Sequence, residues 1–154
     1  MSVLKRLKDY LDERNIKYVK ISHSPAFTAQ EIAASSHISG NELAKTVIVR
    51  ANDGFVMAVL PATRKIDFES LKKVLKSRDI RLASEDEFKD IFPDCEVGAM
   101  PPFGNLYKLP VYVTKALAQR EEIAFNAGTH TDVIKISYSD FEKLVEPVVE
   151  TFSD

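Results

Sequence analysis

The sequence predicts a single α/β domain, of the α+β kind, in which helices flank a mixed sheet. Its 154 residues suffice for one hydrophobic core, and 45% hydrophobic with 29% charged residues is typical of a globular protein. Helix-like and strand-like segments alternate along the chain, but two consecutive strand-like segments form a hairpin. Such interleaving predicts a mixed sheet. We find no repeat, linker or low-complexity stretch, and we therefore expect one compact domain over residues 1–154.

The first segments predict a helix, a strand and a second helix. Apolar residues recur at helical spacing over residues 3–11, and Asn15 follows as a stop signal. Residues 18–21 are expected to form a short strand. A Thr-Ala-Gln-Glu capping box then predicts a helix over residues 29–37.

A hairpin is predicted next, with arms over residues 43–50 and 55–60 joined by an Asn-Asp-Gly turn. Both arms are nearly continuous apolar runs, which predicts burial on both faces of the sheet. Lys45 stands at the start of the first arm. A lysine there either extends its ammonium group to water or holds that group at the end of a buried strand, and position alone favours the first role.

Helix caps and apolar runs predict the remaining elements. Asp67 is expected to cap a helix that continues to residue 76, and Ser84 opens a capping box. A strand over residues 107–113 contains Pro110, which indicates an edge strand or a bulge. The other predicted elements are a short strand near residue 81, a helical turn over 115–119, strands over 122–126 and 133–136, and a last helix that begins after Ser137 or Ser139.

The loop from Gly98 to Pro102 is stiff and apolar. Gly98 can adopt backbone angles that other residues avoid, while Pro101 and Pro102 fix φ and lack an N–H group. We expect the N–H groups of Gly98, Ala99 and Met100 to be free for a small polar ligand. From the Gly/Pro cluster alone, a rigid turn is the commoner role.

Bulk properties exclude several functions. No apolar run is long enough to cross a membrane, and the first residues show no signal-peptide pattern. The single cysteine, Cys95, fits a reducing compartment, and we expect a cytoplasmic protein. The net charge of -2 argues against coating nucleic acid by charge alone. Basic residues nevertheless concentrate in residues 64–81, and a solvated surface is the default interpretation of such a run.

Several kinds of catalytic site are not predicted. Three separated histidines and one cysteine give no metal-binding pattern. The sequence has no Gly-x-Ser-x-Gly elbow, phosphate-binding loop or dinucleotide fingerprint. Cys95 lies between Asp94 and Glu96, which raises the pKa of a thiol, so we expect it to be inert. An enzyme of this sequence would position substrate and water.

Four separated motifs together resemble one family. They are His-Ser-Pro-Ala-Phe-Thr at residues 23–28, Ala-Lys-Thr-Val-Ile-Val at 44–49, Gly-Ala-Met-Pro-Pro-Phe at 98–103 and Phe-Asn-Ala-Gly at 125–128. Their order and spacing are similar to the YbaK/ProX-type aminoacyl-tRNA deacylases, free-standing relatives of the editing domain of bacterial prolyl-tRNA synthetases. The resemblance covers residues 19–137.

The resemblance implies hydrolysis of the ester that joins a wrong amino acid to the 3′ end of a tRNA. It also implies a compact domain around a mixed, highly curved sheet, without a metal or organic cofactor. The family's lysine matches Lys45, and its Gly-x-x-x-Pro loop matches Gly98 to Pro102. His130 and the Pro-Pro-Phe ending are more similar to the branch that acts on Ala-, Ser- or Thr-tRNA; Cys-tRNA is a further candidate.

Roles for individual residues follow from this resemblance. Lys45 would anchor the substrate, while the N–H groups of Gly98 and Ala99 would stabilise charge on the carbonyl oxygen. The residues expected to bind the aminoacyl end are Thr28, Thr46, Met100, Pro101, Pro102, Asn126, Gly128 and His130. Those expected to contact tRNA are Arg64, Lys65, Lys72 and Lys73. A mischarged tRNA is the expected partner, with a synthetase as a second one; no DNA or membrane partner is expected.

Two other functions stay open at this stage. The first is a module that binds aminoacyl ends or a synthetase without hydrolysis. The second is a hydrolase of a different small acyl ester. The sequence ranks no amino acid or tRNA above the others and leaves the oligomeric state open.

Overall fold

In a computed structural model of the chain, the structure describes residues 3–22, 38–52, 54–96 and 98–153. The predicted helix over residues 29–37, the site residue Thr28 and the middle residue of the hairpin turn lie outside these ranges. The elements within them, in chain order, are α1 (Val3–Glu13), β1 (Val19–Ser22), β2 (Leu43–Ala51), β3 (Gly54–Pro61), α2 (Phe68–Leu75), β4 (Ile80–Leu82), α3 (Glu85–Phe88), a 3-10 helix (Gly104–Tyr107), β5 (Val111–Thr114), α4 (Lys115–Ala118), β6 (Glu122–Asn126), β7 (Asp132–Ser137), α5 (Tyr138–Val145) and β8 (Val148–Glu150).

The strands of the described residues form one sheet in the order β1-β7-β6-β2-β3-β5-β8, with β4 paired to β2. The β1–β7, β6–β7, β2–β3 and β2–β4 pairs are antiparallel, whereas the β2–β6, β3–β5 and β5–β8 pairs are parallel. The predicted mixed sheet with flanking helices is therefore confirmed. That a single domain spans residues 1–154 stays a prediction.

The sheet buries both faces, as the apolar runs predicted. On one face, Ile48 and Phe125 pack with Leu7 of α1 and Phe141 of α5. On the other face, Val49 and Ala58 pack with Leu71 of α2. Because side chains alternate along a strand, odd-numbered residues of β2 point to the α2 face and even-numbered ones to the α1 face.

Local sequence signals placed three of the described helix starts correctly. The Asp67 carboxylate accepts N–H groups of Glu69 and Ser70, and Ser84 forms the capping box with Glu87. Ser137, the first of the two candidates, accepts the N–H of Asp140 and caps α5.

The region around Pro110 differs from the prediction. Residues Gly104–Tyr107 form a 3-10 helix, and β5 begins only at Val111 because Pro110 has no N–H for the ladder. The Pro110 carbonyl accepts the N–H of Met57 at 2.9 Å. Since β5 lies between β3 and β8, the edge-strand interpretation is wrong. Strand β8 was not predicted, because three residues carry too little periodicity to detect.

Among the described residues, no helix has the length and apolar character that crossing a membrane requires.

Candidate active site

Two loops meet beyond the end of β6: the Gly–Pro loop (residues 98–102) and the β6–β7 loop (residues 127–131). Gly128 donates its N–H to the Ala99 carbonyl oxygen at 2.9 Å, and its own carbonyl accepts the N–H of Glu96 at 2.8 Å. Gly128 has φ +94°, a conformation that favours glycine. Main-chain hydrogen bonds therefore fix the Gly–Pro loop to the end of β6, and Gly128 supplies this connection.

His130 and Glu96 add a side-chain contact between the same loops. The His130 N–H donates to Glu96 Oε2 at 3.1 Å, and His130 Nε2 lies 3.8 Å from that oxygen. A Cβ atom at Gly98 would lie 3.6 Å from His130 Cε1. The structure thus brings the predicted residues Gly98 and His130 together. Glu96 was not predicted to be a site residue. What could have indicated it in the sequence is the position of an acidic side chain two residues before the Gly–Pro loop.

The amide groups of the Gly–Pro loop differ from the expectation in one respect. The Ala99 N–H donates to the Glu96 carbonyl oxygen at 3.0 Å, so the expectation that it is free is wrong. This bond closes a tight turn around Gly98, which has φ +84°. The N–H groups of Gly98 and Met100 have no acceptor among the described residues. These two amides are the donors that the loop offers.

The end of the Gly–Pro loop is buried in the core. Pro101 and Pro102 are buried, and Phe103 is fully enclosed. The Phe103 ring packs edge-on against Phe125 at 5.3 Å and Phe141 at 5.6 Å between centroids. The prolines and this aromatic anchor hold the loop in one conformation.

Lys45 lies on the strand next to β6. The last registered pair of the parallel β2–β6 ladder is Ala44 with Phe125, which places Lys45 level with Asn126. Leu43 and Ala124 pack in one cluster on the α2 face of the sheet. Since side chains alternate, Lys45 and Asn126 point to that same face from neighbouring strands, which lie about 4.8 Å apart.

The side-chain oxygen of Asn126, Oδ1, is buried without a hydrogen-bond donor among the described residues. An unpaired acceptor is costly to bury, so this oxygen is suited to a donor from a ligand. Thr46 points to the opposite, α1 face with Ala44 and Ile48. Thr46 and Lys45 thus lie on opposite faces of β2. That Thr46 binds the aminoacyl end stays a prediction.

Asp132 holds the β6–β7 loop at its far end. The Thr129 hydroxyl donates to Asp132 Oδ2 at 2.7 Å, and Lys20 Nζ lies 3.7 Å from Oδ1. Burial alone would raise the pKa of the Asp132 carboxyl, but the Thr129 hydroxyl and the Lys20 ammonium hold it below its ordinary value. The loop that carries His130 is thus fixed by a carboxylate that is ionised at neutral pH.

Cys95 does not have the properties of a nucleophile. Burial raises the pKa of its thiol to about 11, with the Asp94 carboxylate adding to the effect. The thiol lies 3.4 Å from the Tyr107 hydroxyl, which donates to Asp94 at 3.1 Å. The predicted inert role is consistent with this setting, although burial contributes more than the acidic neighbours. Over the described ranges, no group of three or more His, Cys, Asp and Glu side chains is arranged to hold a metal ion.

The four basic residues predicted to contact tRNA fall into two groups. Arg64 is exposed beside a cleft of about 350 Å³ that Asn41, Gln119 and Arg120 also line. Lys65 is exposed next to it in sequence. Lys72 and Lys73 lie on α2 and line a separate cleft of about 470 Å³.

The chain matches the family model described as the aminoacyl-tRNA editing domain over residues 23–144. A curated relative, the prolyl-tRNA editing protein ProX of Acetoanaerobium sticklandii, is 28% identical over 148 residues, which cover 92% of this chain and 90% of that protein. The multifunctional Ser/Thr-tRNA deacylase ProXp-y of Escherichia coli strain K12 is 24% identical over 152 residues, covering 96% of this chain and 90% of that protein.

A solved structure shares the fold. It is described as a candidate trans-editing enzyme for prolyl tRNA synthetase, and it superposes with a TM-score of 0.84 at 18% sequence identity. The match covers 100% of this chain and 98% of that chain. The resemblance inferred from the four sequence motifs is therefore confirmed.

Proposed function

Because the chain belongs to the aminoacyl-tRNA editing domain family, we propose that it is a trans-editing deacylase that hydrolyses the ester bond of mischarged aminoacyl-tRNA. The substrates would carry a small amino acid, such as alanine, serine, threonine or cysteine. Water would be the nucleophile, and the protein would contribute fixed donors and one cation.

One observation carries this proposal: main-chain hydrogen bonds join the Gly–Pro loop to the end of β6, beside the strand that holds Lys45. Gly128 accepts from Glu96 and donates to Ala99. Asn126, two residues earlier, lies level with Lys45 in the β2–β6 pair. Residues from three distant parts of the sequence thereby come to one end of the sheet.

Each group has a chemical role in the proposal. The N–H groups of Gly98 and Met100 stabilise negative charge that develops on the ester carbonyl oxygen. Ala99 has a different role from the one predicted, since its carbonyl and N–H bind Gly128 and Glu96 and so position these donors. The Lys45 ammonium group binds the carbonyl oxygen or the terminal phosphate of the substrate. The free ribose hydroxyl beside the ester orients the attacking water.

The amino-acid end of the substrate meets Asn126 and His130. The buried Asn126 Oδ1 atom accepts a hydrogen bond from the α-ammonium group of the amino acid. This group supplies the donor that the oxygen lacks among the described residues. His130 is only 7% exposed and limits the size of the side chain that enters. A pocket of fixed size excludes larger amino acids but not smaller ones, which is the logic of an editing sieve. Pro101 and Pro102 keep the wall rigid.

The partners follow from the substrate. Mischarged tRNA binds through its 3′ end, and basic side chains, among them Lys72 and Lys73, contact its phosphates. A synthetase is a second partner in this proposal, because editing in trans has to act on the product that a synthetase releases. We place the protein in the cytoplasm, where aminoacyl-tRNA is made.

A deacylation panel tests the proposal. Purified protein is incubated with Ala-, Ser-, Thr- and Cys-tRNA, with Pro-tRNA as the rejected substrate, and the remaining ester is measured over time. We expect hydrolysis of at least one small aminoacyl-tRNA and sparing of Pro-tRNA. Binding without hydrolysis throughout the panel would indicate a binding module, and cleavage of free aminoacyl esters with no preference for tRNA would indicate a different hydrolase.

The Lys45→Ala variant tests the mechanism. We expect a loss of turnover of at least about a hundredfold, corresponding to about 2.7 kcal/mol of transition-state stabilisation. Lys17→Ala is the matched control, since Lys17 is exposed between α1 and β1. Circular dichroism of both variants checks that the fold is retained. Undiminished turnover by a folded Lys45→Ala protein would remove Lys45 from the mechanism.

A further inference from the structure

A basic surface lies at the opposite end of β2 from Lys45. Two adjoining clefts form it, of about 300 Å³ and 470 Å³, and they share Lys72 and Arg78. We define the α2–β4 surface by its basic residues Arg50, Lys72, Lys73, Lys76, Arg78 and Arg81. Three acids accompany these six cations, Glu69, Asp79 and Glu87, so the surface is positive although the whole chain has a net charge of -2.

The cations of this surface differ in how they are paired. Arg81 binds Glu87 through two bonds of 2.6 Å and 2.7 Å, and Lys72 lies 3.3 Å from Glu69. Lys73, Lys76 and Arg78 are exposed and form no ion pair with any described residue. Lys73 is close enough to Asp67 to help lower the pKa of that carboxyl, but no carboxylate of the described residues is in direct contact with the three cations, and their charge is accessible to an external anion.

These three cations lie on the last turn of α2 and on the turn that follows it, and this backbone is held in place. Ser77 is buried at 7% exposure, and its hydroxyl donates to Asn52 Oδ1 at 3.1 Å. Lys76 ends α2 in the left-handed conformation, and its N–H donates to carbonyl oxygens of the last helical turn. The basic side chains thus project from a fixed backbone, which reduces the entropy lost when they bind an anion.

The position of this surface relates it to the proposed active site. Helix α2 packs through Leu71 on Val49, and Val49 shares its face of β2 with Lys45. The far end of β2 at Arg50 is five residues beyond Lys45, about 17 Å at 3.4 Å per residue. An anion bound at α2 is hence outside the aminoacyl pocket but on the same side of the sheet as Lys45, whereas Arg50 and its paired residue Arg81 reach this surface from the α1 face at the edge of the sheet.

We propose that the α2–β4 surface binds backbone phosphates of the tRNA whose 3′ end occupies the Lys45 site, with Lys73, Lys76 and Arg78 as the principal contacts. This inference rests on the proposed function. The repeating phosphates of a nucleic acid match several exposed cations spread over two adjoining clefts, whereas a single small anion would occupy only one of them. Arg64 and Lys65 are not part of this surface.

The test compares two triple variants in the full-length protein. Lys73→Gln, Lys76→Gln and Arg78→Gln remove the principal contacts. Lys17→Gln, Lys108→Gln and Lys143→Gln are the matched control, because these lysines are exposed elsewhere and Lys108, like Lys76, has a positive φ. Both are measured for binding of uncharged tRNA over a salt series and for hydrolysis of a mischarged tRNA and of the same amino acid esterified to adenosine.

If the proposal holds, the first triple variant raises KM for mischarged tRNA about tenfold at unchanged kcat and reduces the slope of log K against log salt by about 2 to 3. Its hydrolysis of the adenosine ester equals that of wild type. Equal behaviour of the two triple variants toward tRNA overturns the proposal. If the wild type hydrolyses no ester, and the first triple variant still binds tRNA more weakly and with a smaller salt dependence than the wild type, the proposed function is contradicted. Binding of tRNA by the α2–β4 surface is then supported.

Discussion

The two regions of the molecule to which we assign proposed functions are built from different interactions. The Gly–Pro loop is fixed by main-chain hydrogen bonds to Gly128 and by the enclosed ring of Phe103. The α2–β4 surface instead projects long side chains into solvent, and its ion pairs are partly exposed. Buried backbone contacts fix atoms to fractions of an ångström, whereas exposed charges act over longer distances and are screened by salt. The first arrangement suits chemistry at one carbonyl group, and the second suits contact with a flexible polyanion.

The largest effect that would test this contrast is expected at Gly98. Gly98→Ala forces a side chain into φ +84°, where an L-residue loses about 1–2 kcal/mol, although the space near His130 Cε1 is sufficient. We expect a loss of unfolding free energy of this size and a fall in kcat of about tenfold or more, because the amide donors shift. Denaturant unfolding and deacylation kinetics measure the two effects.

Gly54→Ala is the control for this prediction. A Cβ atom at Gly54 meets no other atom within 4 Å, and the residue lies at the start of β3. We expect wild-type kinetics from it. If the Gly98 and Gly54 variants behaved alike, the backbone geometry of the Gly–Pro loop would not be critical for catalysis.

A smaller effect is expected from the contact between Glu96 and His130. Glu96→Ala removes the acceptor of the His130 N–H, and a hydrogen bond of this kind contributes about 1 kcal/mol, or about fivefold in kcat/KM. Glu96→Gln retains an acceptor oxygen and should recover most of the activity. The ratio of kcat/KM between the smallest and the largest accepted amino acid reports whether His130 has moved. A purely structural role for Glu96 would leave that ratio unchanged in both variants.

The smallest effect is expected for the partly exposed ion pair between Arg81 and Glu87, whose contribution to stability depends on pH. The Arg81 guanidinium, followed by the Ser84 N–H, lowers the pKa of Glu87 to about 2 from an ordinary value of 4.5. Because the folded-state pKa is the lower one, the stabilising contribution is complete above pH 4.5 and is lost as the pH falls toward 2. We expect the melting temperature of wild type to fall over this range by slightly more than that of Glu87→Gln.

Thermal melts from pH 6 to pH 2 at low and high salt check this prediction. Salt should reduce the difference between the proteins, since the pair with Arg81 is partly exposed. An identical pH dependence of both proteins would show that this ion pair does not contribute to stability.

Much of the fold could be predicted because its signals are local. The caps at Asp67, Ser84 and Ser137 each depend on residues within one helical turn, and their hydrogen bonds are present as expected. The β2–β3 hairpin follows from two apolar runs around a turn. By contrast, β8 pairs with β5 in parallel across more than thirty residues, and no local pattern indicates such a partner.

In the candidate site, too, the local motifs could be predicted and the contacts between distant segments could not. The motifs around Lys45, Gly98 and Gly128 were recognisable from the residues alone, since lysine, glycine and proline restrict what a segment can do. The structure decided that Ala99 donates its N–H to the Glu96 carbonyl oxygen and that the Glu96 side chain accepts the N–H of His130. It also decided which basic residues share a surface.

By itself, the sequence determined most of the described local elements, the mixed sheet and the family. Only the tertiary structure decided which donors are available, which side chains meet and which cations lie together, as with Glu96 and His130 across 34 positions. The physical reason is that propensity, capping and turn chemistry act over a few residues, while hydrogen-bond partners and shared faces depend on strand pairing between distant segments.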